Sequence, residues 1–419
     1  MDEKKILAGY EYAKSYFADL GIDVDAAMEK ADSIPVSMHC WQGDDVIGFD
    51  GTGTLDGGIQ TTGNYPGRAR TPEELRSDLE FALTQIPGAK KLNLHANYAE
   101  KNGKQIDRNE YTIEQFQGWV DWAKKQGFGL DFNPTFFSHP MMDGMMSMAS
   151  PDPVKRKFWI DHGKRCWEIG EEMAKQLGQP CCVNYWMPDG MKEVPVNAKY
   201  YRDLMEDAFD QILSLNVDKN LAPLAIECKL FGIGAESYTV ASHEFSYGYA
   251  VRHQTTYCLD AGHFHPTEII SDKISAVLQN VPSVLTHLSR GIRWDSDHVT
   301  GHTDELQRIF DEIIWNNYQD RMFIGLDFFD ASINRTACWI IGMRNARKAM
   351  LGSCLAPYKQ LSNAEQTLDY TTRLAVQEER RMLPVGEVWN YYCYKKGMKT
   401  GTEWLEDVKK YEAEVLSKR

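Results

Sequence analysis

The feature that most constrains the fold is an alternation of short apolar runs with longer stretches of helical periodicity. Eight runs have the length and composition of buried β-strands, at residues 35–39, 92–95, 129–133, 181–185, 224–227, 257–260, 284–287 and 323–327. Seven stretches have helical periodicity, at residues 72–83, 113–125, 154–177, 201–213, 266–278, 304–315 and 332–350. Strands that alternate with helices predict β-α-β units and a parallel sheet.

Eight such units favour closure of the sheet into a (β/α)8 TIM barrel, in the α/β class. An open, doubly wound sheet is the alternative, but no G-x-G-x-x-G turn follows the first strand. We expect residues 1–350 to form the barrel with an N-terminal helix. The Gly-rich stretch 42–71 is expected to be a lid loop, with a disordered insertion as the alternative. Residues 351–419 are expected to form a helical C-terminal arm that packs on a neighbouring subunit or covers its own barrel.

Composition and charge narrow the classes of partner. A formal net charge of -14 disfavours nucleic acid, because an acidic surface repels phosphate backbones. The 9 cysteines include no C-x-x-C pair and are expected to be reduced thiols in a cytoplasmic protein. The N-terminus lacks the apolar core of a signal peptide, and no run approaches the ~18 apolar residues of a membrane span. We therefore expect neither membrane nor nucleic acid as a partner.

Each predicted strand ends in a polar residue, most of them capable of binding a metal. In chain order these residues are His39, His95, Asn133, Tyr185 (with Asn184 just before it), Glu227, Asp260, His287 and Asp327. Burying isolated polar groups is costly, so a sequence selected for packing alone does not place them at successive strand ends. The carboxyl ends of barrel strands converge on one rim, where active sites are found. The alternative for any single residue is an ordinary polar start of a loop.

The second half of the chain contributes most of the expected metal ligands. They are Glu227, Asp260, His263, His287, Asp295, Asp297 and Asp327, with Lys229 two residues after the first. Five carboxylates carry five negative charges, which two divalent cations and one lysine balance. We expect Glu227, Asp260, His287 and Asp327 around one ion, and His263, Asp295 and Asp297 around the second, with Asp260 bridging. Oxygen and imidazole donors suit Mn2+, Co2+ or Mg2+, with Zn2+ as a further option.

Several of these residues also have simpler interpretations. Lys229 can be a solvated strand residue, and His265 can mark only the start of a helix. His298 is as well explained by a surface position. Three tryptophans near strand ends can be core residues or can stack on a sugar: Trp41, Trp186 and Trp294.

Longer sequence strings are similar to those of the L-rhamnose isomerase family. They are SMHCWQGDDV, GNYPGRA, LNLHANY, GLDFNPTFFSHP, WMPDGMK, KLFGIGAESY, CLDAGHFHPTE, RWDSDHV and IGLDFFDASINR, and the resemblance covers nearly the whole chain. It implies a homotetrameric barrel enzyme, related in fold to D-xylose isomerase. Such an enzyme uses two divalent ions, usually Mn2+, and interconverts L-rhamnose and L-rhamnulose in rhamnose catabolism.

The resemblance also implies roles for individual residues. It implies the same two sets of metal ligands as those given above. It also implies that Lys229 lies near the sugar's O1 and that His95 takes part in binding or opening the sugar ring. The expected substrate-binding residues are Trp41, His95, Trp186, Lys229, His263 and Asp327. The expected catalytic residues are Lys229, His95, Asp297 and Asp327. Residues of the 42–71 loop are expected to cover the sugar's methyl group, with Val46, Leu55 and Ile59 as candidates.

Two routes lead from aldose to ketose. A base can remove the C2 proton to give an enediol. Alternatively, the hydrogen on C2 migrates to C1 as a hydride, with metal-polarised oxygens and a metal-bound water as proton shuttle. Many ions and few free bases favour the second route. Rival interpretations are a metal-dependent phosphodiesterase or endonuclease, a metal-assisted epimerase, and a non-catalytic sugar- or metal-binding protein.

Overall fold

A closed barrel of eight parallel strands forms the centre of the molecule. The computed structural model describes residues 2–51, 61–232, 234–292 and 294–419. The strands are β1 Val36–His39, β2 Lys90–His95, β3 Gly129–Asn133, β4 Val183–Tyr185, β5 Leu224–Glu227, β6 Thr256–Asp260, β7 Val284–Leu288 and β8 Met322–Leu326. Each strand pairs with its neighbours in chain order, and β1 pairs with β8 to close the ring. All eight predicted strands and the (β/α)8 architecture are confirmed.

Helices surround the barrel. They are α1 Glu3–Asp19, α2 Val24–Ser33, α3 Pro72–Leu83, α4 Gln117–Gln126, α5 Pro153–Leu177, α6 Ala198–Leu213, α7 His243–His253, α8 Ser271–Leu278, α9 Asp304–Trp315 and α10 Arg335–Cys354. Helices α3 to α6 and α8 to α10 correspond to the seven predicted stretches. Local signals account for many of these ends. Thr71, for example, caps α3 by accepting a hydrogen bond from the Glu74 N–H, and Pro72 occupies the first turn.

The predicted helix at residues 266–278 is wrong at its N-terminal end. The observed helix α8 begins five residues later, at Ser271, and residues 266–268 form a turn in which the Glu268 N–H donates to the His265 carbonyl. The N-terminal end of α8 is capped from outside its own segment, because the Glu305 carboxylate accepts from both the N–H and the hydroxyl of Ser271. A tertiary contact of this kind leaves no local signal, so periodicity alone extended the helix too far.

A buried ion pair lies inside the barrel, away from the strands' carboxyl ends. Lys91 of β2 contacts Asp131 of β3, and their side chains are only 8% and 5% exposed. The Lys91 ammonium also donates to the Pro180 carbonyl, and Asp131 accepts from the Cys182 N–H. The pair therefore ties three neighbouring segments together at a point where either charge alone would be costly.

Four further helices follow α10: α11 Tyr358–Gln366, α12 Tyr370–Glu379, α13 Val385–Lys395 and α14 Trp404–Glu414. They pack in part on their own barrel. Tyr391 of α13 stacks on Tyr10 of α1 with ring centroids 3.7 Å apart. Asp78 of α3 accepts hydrogen bonds from Tyr411 and from Arg419 at the end of the chain. Within the described residues, no helix combines the length and apolarity that crossing a membrane requires.

Replacing Lys91 with methionine should destabilise the fold strongly, because it leaves the Asp131 carboxylate buried without its cation. We expect the free energy of unfolding to fall by about 3–5 kcal/mol. Urea unfolding monitored by circular dichroism measures the change through the midpoint. The double variant Lys91→Met/Asp131→Asn removes the orphaned charge and should recover much of the loss. Equal stability of the single and double variants would contradict this role.

Candidate active site

The carboxyl ends of the barrel strands surround a cavity of about 300 Å³. Six of the polar residues predicted at strand ends line it: His95, Asn133, Asn184, Glu227, His287 and Asp327. Segments that follow the barrel strands contribute Trp41, Val46, Trp186, Lys229, His263, Asp295 and Asp297. Parallel strands of a closed barrel end at the same rim, which explains how residues far apart in sequence meet here.

Three of the strand-end residues lie outside the described lining of this cavity: Asp260, Tyr185 and His39. Asp260 lies next to a lining residue, with its carboxylate 3.6 Å from His287 Nδ1. The Tyr185 hydroxyl points away from the barrel axis and donates to the Gly163 carbonyl on α5. Side chains alternate along a strand, so the preceding residue, Asn184, faces the cavity instead. His39 is fully buried beside Trp41 and Phe328, and burial lowers the pKa of its imidazole to about 3.

The first cluster of possible ligands consists of Glu227, Asp260, His287 and Asp327. One ligand atom from each lies within 4.8 Å of all the others. His287 Nδ1 is 3.3 Å from a Glu227 oxygen, 3.6 Å from Asp260 and 3.2 Å from Asp327. One imidazole nitrogen cannot hydrogen-bond to three carboxylates at once, so these donors share a centre that a cation fits.

The second cluster joins Asp260, His263 and Asp295. His263 Nε2 is 3.1 Å from Asp295, and its Nδ1 is 3.2 Å from Glu227 of the first cluster. Asp295 and Asp297 lie on a short strand, Trp294–His298, which pairs antiparallel with Arg290–Ile292. Asp297 has a left-handed backbone, with φ of 46°, and also lines the cavity. Asp260 is the residue common to both clusters.

The electrostatics of both clusters favour a cation. Burial by itself lowers the pKa of His263, but Asp260 and Asp295 overcome it and raise that pKa well above its usual value. Burial raises the pKa of Asp297 well above its usual value, and the charges of Asp295, Asp327 and Asp260 raise it further. Raised pKa values of this kind show that the carboxylates are held too close together to be ionised at once unless positive charge is added.

The chemistry of the donors fits a hard or borderline divalent ion. The Cys258 thiol also lies near Glu227 and His287. Burial raises the pKa of that thiol strongly, so it stays protonated and is a poor ligand. His287 Nδ1 is buried without a hydrogen-bond partner in the described structure, as expected for a nitrogen that faces an ion. Carboxylate oxygens and two imidazoles are left as donors, which suits Mn2+, Co2+ or Mg2+.

Neighbouring donors orient the carboxylates of the first cluster. The Asn184 amide donates to Glu227 Oε2 at 2.5 Å, and the Trp41 indole N–H donates to Asp327 Oδ1 at 2.9 Å. The Gly262 N–H donates to Asp260 Oδ1 at 2.6 Å. Each carboxylate therefore has one oxygen held by the protein, as is common around metal ligands.

The other wall of the cavity is largely aromatic. The Lys229 ammonium lies 5.0 Å from the centre of the Trp186 ring, and burial lowers the pKa of this lysine. The Trp186 indole nitrogen is buried and makes no hydrogen bond within the described structure, which leaves it available to a ligand. His95 Nδ1 is 3.2 Å from the Thr135 hydroxyl, and burial lowers the pKa of His95 to about 3.

Some residues named from the sequence do not join this cavity. His265 and His298 are absent from its described lining, which agrees with their simpler interpretation. Leu55 and Ile59 lie outside the described residues, as does the side chain of Trp294. Trp41 and Trp186 both face the cavity and are not merely core residues.

Sequence reasoning missed several residues of the lining. Phe137, Phe329 and Thr62 line the cavity, and none was predicted as a site residue. Phe329 had a usable signal, because it follows Asp327 by two positions just beyond a barrel strand. Thr62 had none, since it reaches the cavity through pairing with Asp330, which is distant in sequence.

Comparison with known proteins gives one consistent family. Residues 4–419 match the family model described as L-rhamnose isomerase (RhaA). An L-rhamnose isomerase of Rhodopirellula baltica is 52% identical over 411 residues, which are 98% of this chain and 96% of that protein. An L-rhamnose isomerase of Salmonella agona is 53% identical over 411 residues, 98% of each chain.

Solved structures with a similar arrangement are more distant. A D-allulose 3-epimerase from Methylomonas sp. is 10% identical, covers 78% of this chain and 97% of its own, and superposes with a TM-score of 0.44. An L-ribulose 3-epimerase is also 10% identical, covers 79% of this chain and 97% of its own, and has a TM-score of 0.45.

Removing either orienting side chain should weaken binding of a divalent ion. We expect Trp41→Phe and Asn184→Ala to lower Mn2+ affinity about 10–100-fold, because each frees one oxygen of a ligating carboxylate. Calorimetric titration of chelator-treated protein with Mn2+ measures the affinity. Trp122→Phe is the matched control, since the Trp122 indole donates to Glu80 on the outer surface. This variant should bind Mn2+ with the affinity of the unchanged protein. Wild-type affinity in both site variants would show that these donors do not orient ligands.

Proposed function

The chain belongs to the L-rhamnose isomerase family, and we propose that its cavity holds two divalent cations that serve the interconversion of L-rhamnose and L-rhamnulose. The observation that carries the proposal is the pair of ligand clusters that share Asp260. Two separate groups of donors joined by one carboxylate form the arrangement expected of a two-ion centre.

The proposed ligand sets are the two clusters with one addition, Asp297, which also lines the cavity. Glu227, Asp260, His287 and Asp327 hold one ion. His263, Asp295 and Asp297 hold the other, with Asp260 shared. The support is a match of charge: five carboxylates meet two divalent ions and the Lys229 ammonium. We propose Mn2+ as the ion in the cell, with Co2+, Mg2+ and Zn2+ able to replace it. When bound, the ions supply Lewis acidity toward the sugar's oxygens and lower the pKa of a coordinated water.

The chain's own residues position the sugar in this proposal. Lys229 donates a charge-assisted hydrogen bond to O1, with Trp186 beneath the ammonium to restrict its position. Trp41 and Trp186 form the walls against which the sugar's C–H faces pack. Asp327 and His263 contact the sugar's hydroxyl groups at the side of the cavity where the proposed ion sites lie. The proposed catalytic residues are Lys229, Asp297, Asp327 and His95.

The residues around the cavity favour a hydride shift over an enediol. An enediol route needs a base that can take and hold the C2 proton at neutral pH. His95 is a poor candidate, because burial holds its pKa near 3 and its Nδ1 is engaged with Thr135. The lining carboxylates Glu227, Asp295, Asp297 and Asp327 all belong to the proposed ion sites. We therefore propose that the hydrogen on C2 moves directly to C1 as a hydride, that the proton on O2 is transferred to O1, and that Lys229 holds O1 in place.

The organisation of the chain, its assembly and its location are also proposed. We propose residues 1–350 as the catalytic barrel, residues 42–71 as its lid loop and residues 351–419 as a C-terminal arm. Exposed apolar side chains on α12, including Leu374 at 63% exposure, support a role for this arm in a homotetramer. The 9 cysteines are free thiols, mostly buried, which supports a reducing cytoplasm. Membership of the family supports a role in rhamnose catabolism.

Isotopic labelling tests the proposed hydride shift. L-rhamnose carrying deuterium at C2 should give L-rhamnulose with the deuterium retained at C1, because the hydrogen never reaches solvent. Proton NMR of the ketose formed at low conversion in ordinary water measures the retention. Alkaline isomerisation of the same labelled sugar is the matched control, since it passes through an enediol and loses the label. Loss of the label in the enzymatic reaction as well would overturn the hydride shift and favour a base at C2.

A further inference from the structure

Thr135, just after β3, contacts three neighbours with its hydroxyl group beside the cavity. The hydroxyl oxygen lies 3.2 Å from His95 Nδ1, 3.1 Å from the main-chain nitrogen of Asn97 and 3.4 Å from Asn97 Oδ1. A threonine hydroxyl has one hydrogen to donate and two lone pairs with which to accept. All three neighbours are therefore satisfied only if one of them accepts and the other two donate.

The side chain of Asn97 decides which neighbour accepts. Its amide nitrogen donates to the Val46 carbonyl at 2.9 Å, so its Oδ1 faces Thr135. Within the described residues, Thr135 is the only donor to this oxygen. The main-chain N–H of Asn97 can only donate, which leaves His95 Nδ1 as the second donor. The opposite arrangement would leave Asn97 Oδ1 buried without a donor, which is costly.

The His95 ring is neutral, so its two nitrogens share one hydrogen. Burial lowers the pKa of His95 to about 3, and a hydrogen bond to the Pro134 carbonyl opposes this shift. A carbonyl can only accept, so a ring N–H must point toward this side of the ring. With the hydrogen on Nδ1, the other nitrogen, Nε2, is bare and can only accept.

The main chain of Thr135 is held on both sides, which keeps its hydroxyl in place. Its N–H donates to His162 Nε2 at 2.9 Å, and His162 Nδ1 lies 3.0 Å from the Arg108 carbonyl. The Thr135 carbonyl accepts from Arg108 Nη1 at 2.9 Å. Arg108 is itself 1% exposed and pairs with Asp50 at 2.6 Å. A residue fixed in this way can hold a neighbouring ring in one orientation.

His95 presents its second nitrogen to a ligand in the cavity. The ring lines the cavity and packs edge-to-face with Trp41 and Phe137, at centroid distances of 4.9 Å and 5.6 Å. Its Nε2 has no hydrogen-bond partner within the described structure and is not sealed off by protein. Lys229 and the Trp186 indole can only donate, so His95 adds a neutral acceptor to this wall.

We propose that Thr135 is a positioning residue that fixes the hydrogen of His95 on Nδ1, so that the bare Nε2 accepts a hydrogen bond from a sugar hydroxyl. The hydrogen bond of one ring nitrogen determines the role of the other. The contact with the sugar rests on the proposed function, whereas the place of the hydrogen on His95 does not. Thr135 acts through His95, not on the reacting atoms.

Solid-state NMR tests the place of the hydrogen without any sugar. The protein is labelled with 13C,15N-histidine and loaded with Mg2+, which is not paramagnetic. Signals missing from His95→Phe belong to His95, and coupling to Cγ identifies Nδ1. We expect the 15N signal of a protonated nitrogen for Nδ1 and that of a bare nitrogen for Nε2. A hydrogen on Nε2 in the unchanged protein would overturn the proposal.

Matched substitutions of Thr135 measure its effect on the sugar. Thr135→Val keeps the shape and removes the hydroxyl, so kcat/KM for L-rhamnose should fall about tenfold, the worth of one hydrogen bond, mainly through a higher KM. Thr135→Ser keeps the hydroxyl and should stay within about twofold of the unchanged protein. Thr255→Val is the control, because Thr255 is buried just before β6 and its hydroxyl has no partner in the described structure. An unchanged kcat/KM in Thr135→Val would contradict the role of Thr135.

A double variant separates positioning from general damage to the fold. Thr135→Val/His95→Phe should be no less active than His95→Phe alone, because Thr135 acts only through the nitrogens of His95. Independent, multiplied losses would overturn the proposal. Where Thr135→Val does not fold, the NMR spectrum of the unchanged protein decides. Failure of the unchanged protein to form ketose from L-rhamnose would count against the proposed function, and the spectrum would still decide the place of the hydrogen.

Discussion

Mutual repulsion among carboxylates at one end of the barrel is the constraint on which the rest of the site depends. Glu227, Asp260 and Asp327 surround one imidazole nitrogen at 3.2–3.6 Å. Nothing in the described protein supplies enough positive charge there, and the pKa values of His263 and His287 rise well above their usual values in response. The two divalent ions that we propose would resolve this conflict, because they add the positive charge that the clustered carboxylates need.

The rigid main chain of the barrel holds these carboxylates close together. Its strands are buried on both faces, so the main chain that carries these residues is fixed by packing and by parallel pairing on both sides. The buried Lys91–Asp131 pair adds polar restraint away from the rim. Rigid support of this kind keeps the ligands close together even though their charges repel.

The sequence predicts those parts of the molecule that periodicity and chain order govern. The eight strands and most helices follow from apolar patterning, and four of the proposed ligands, Glu227, Asp260, His287 and Asp327, follow from the polar residues at predicted strand ends. Other features depend on contacts between distant segments. The start of α8 depends on Glu305, and the approach of Thr62 to the cavity depends on Asp330. The left-handed backbone at Val46 likewise leaves no pattern in residue type, because β-branched residues rarely adopt it.

Counting bound metal per chain tests the two-ion centre most directly. Protein loaded with Mn2+, freed of excess ion and measured by mass spectrometry of the metal should contain two ions per chain. His263→Ala should retain one ion, because it removes a ligand of only the second cluster, whereas Asp260→Asn should weaken both sites, since both clusters use it. One ion per chain in the unchanged protein, or two in Asp260→Asn at unchanged affinity, would contradict the shared-carboxylate centre.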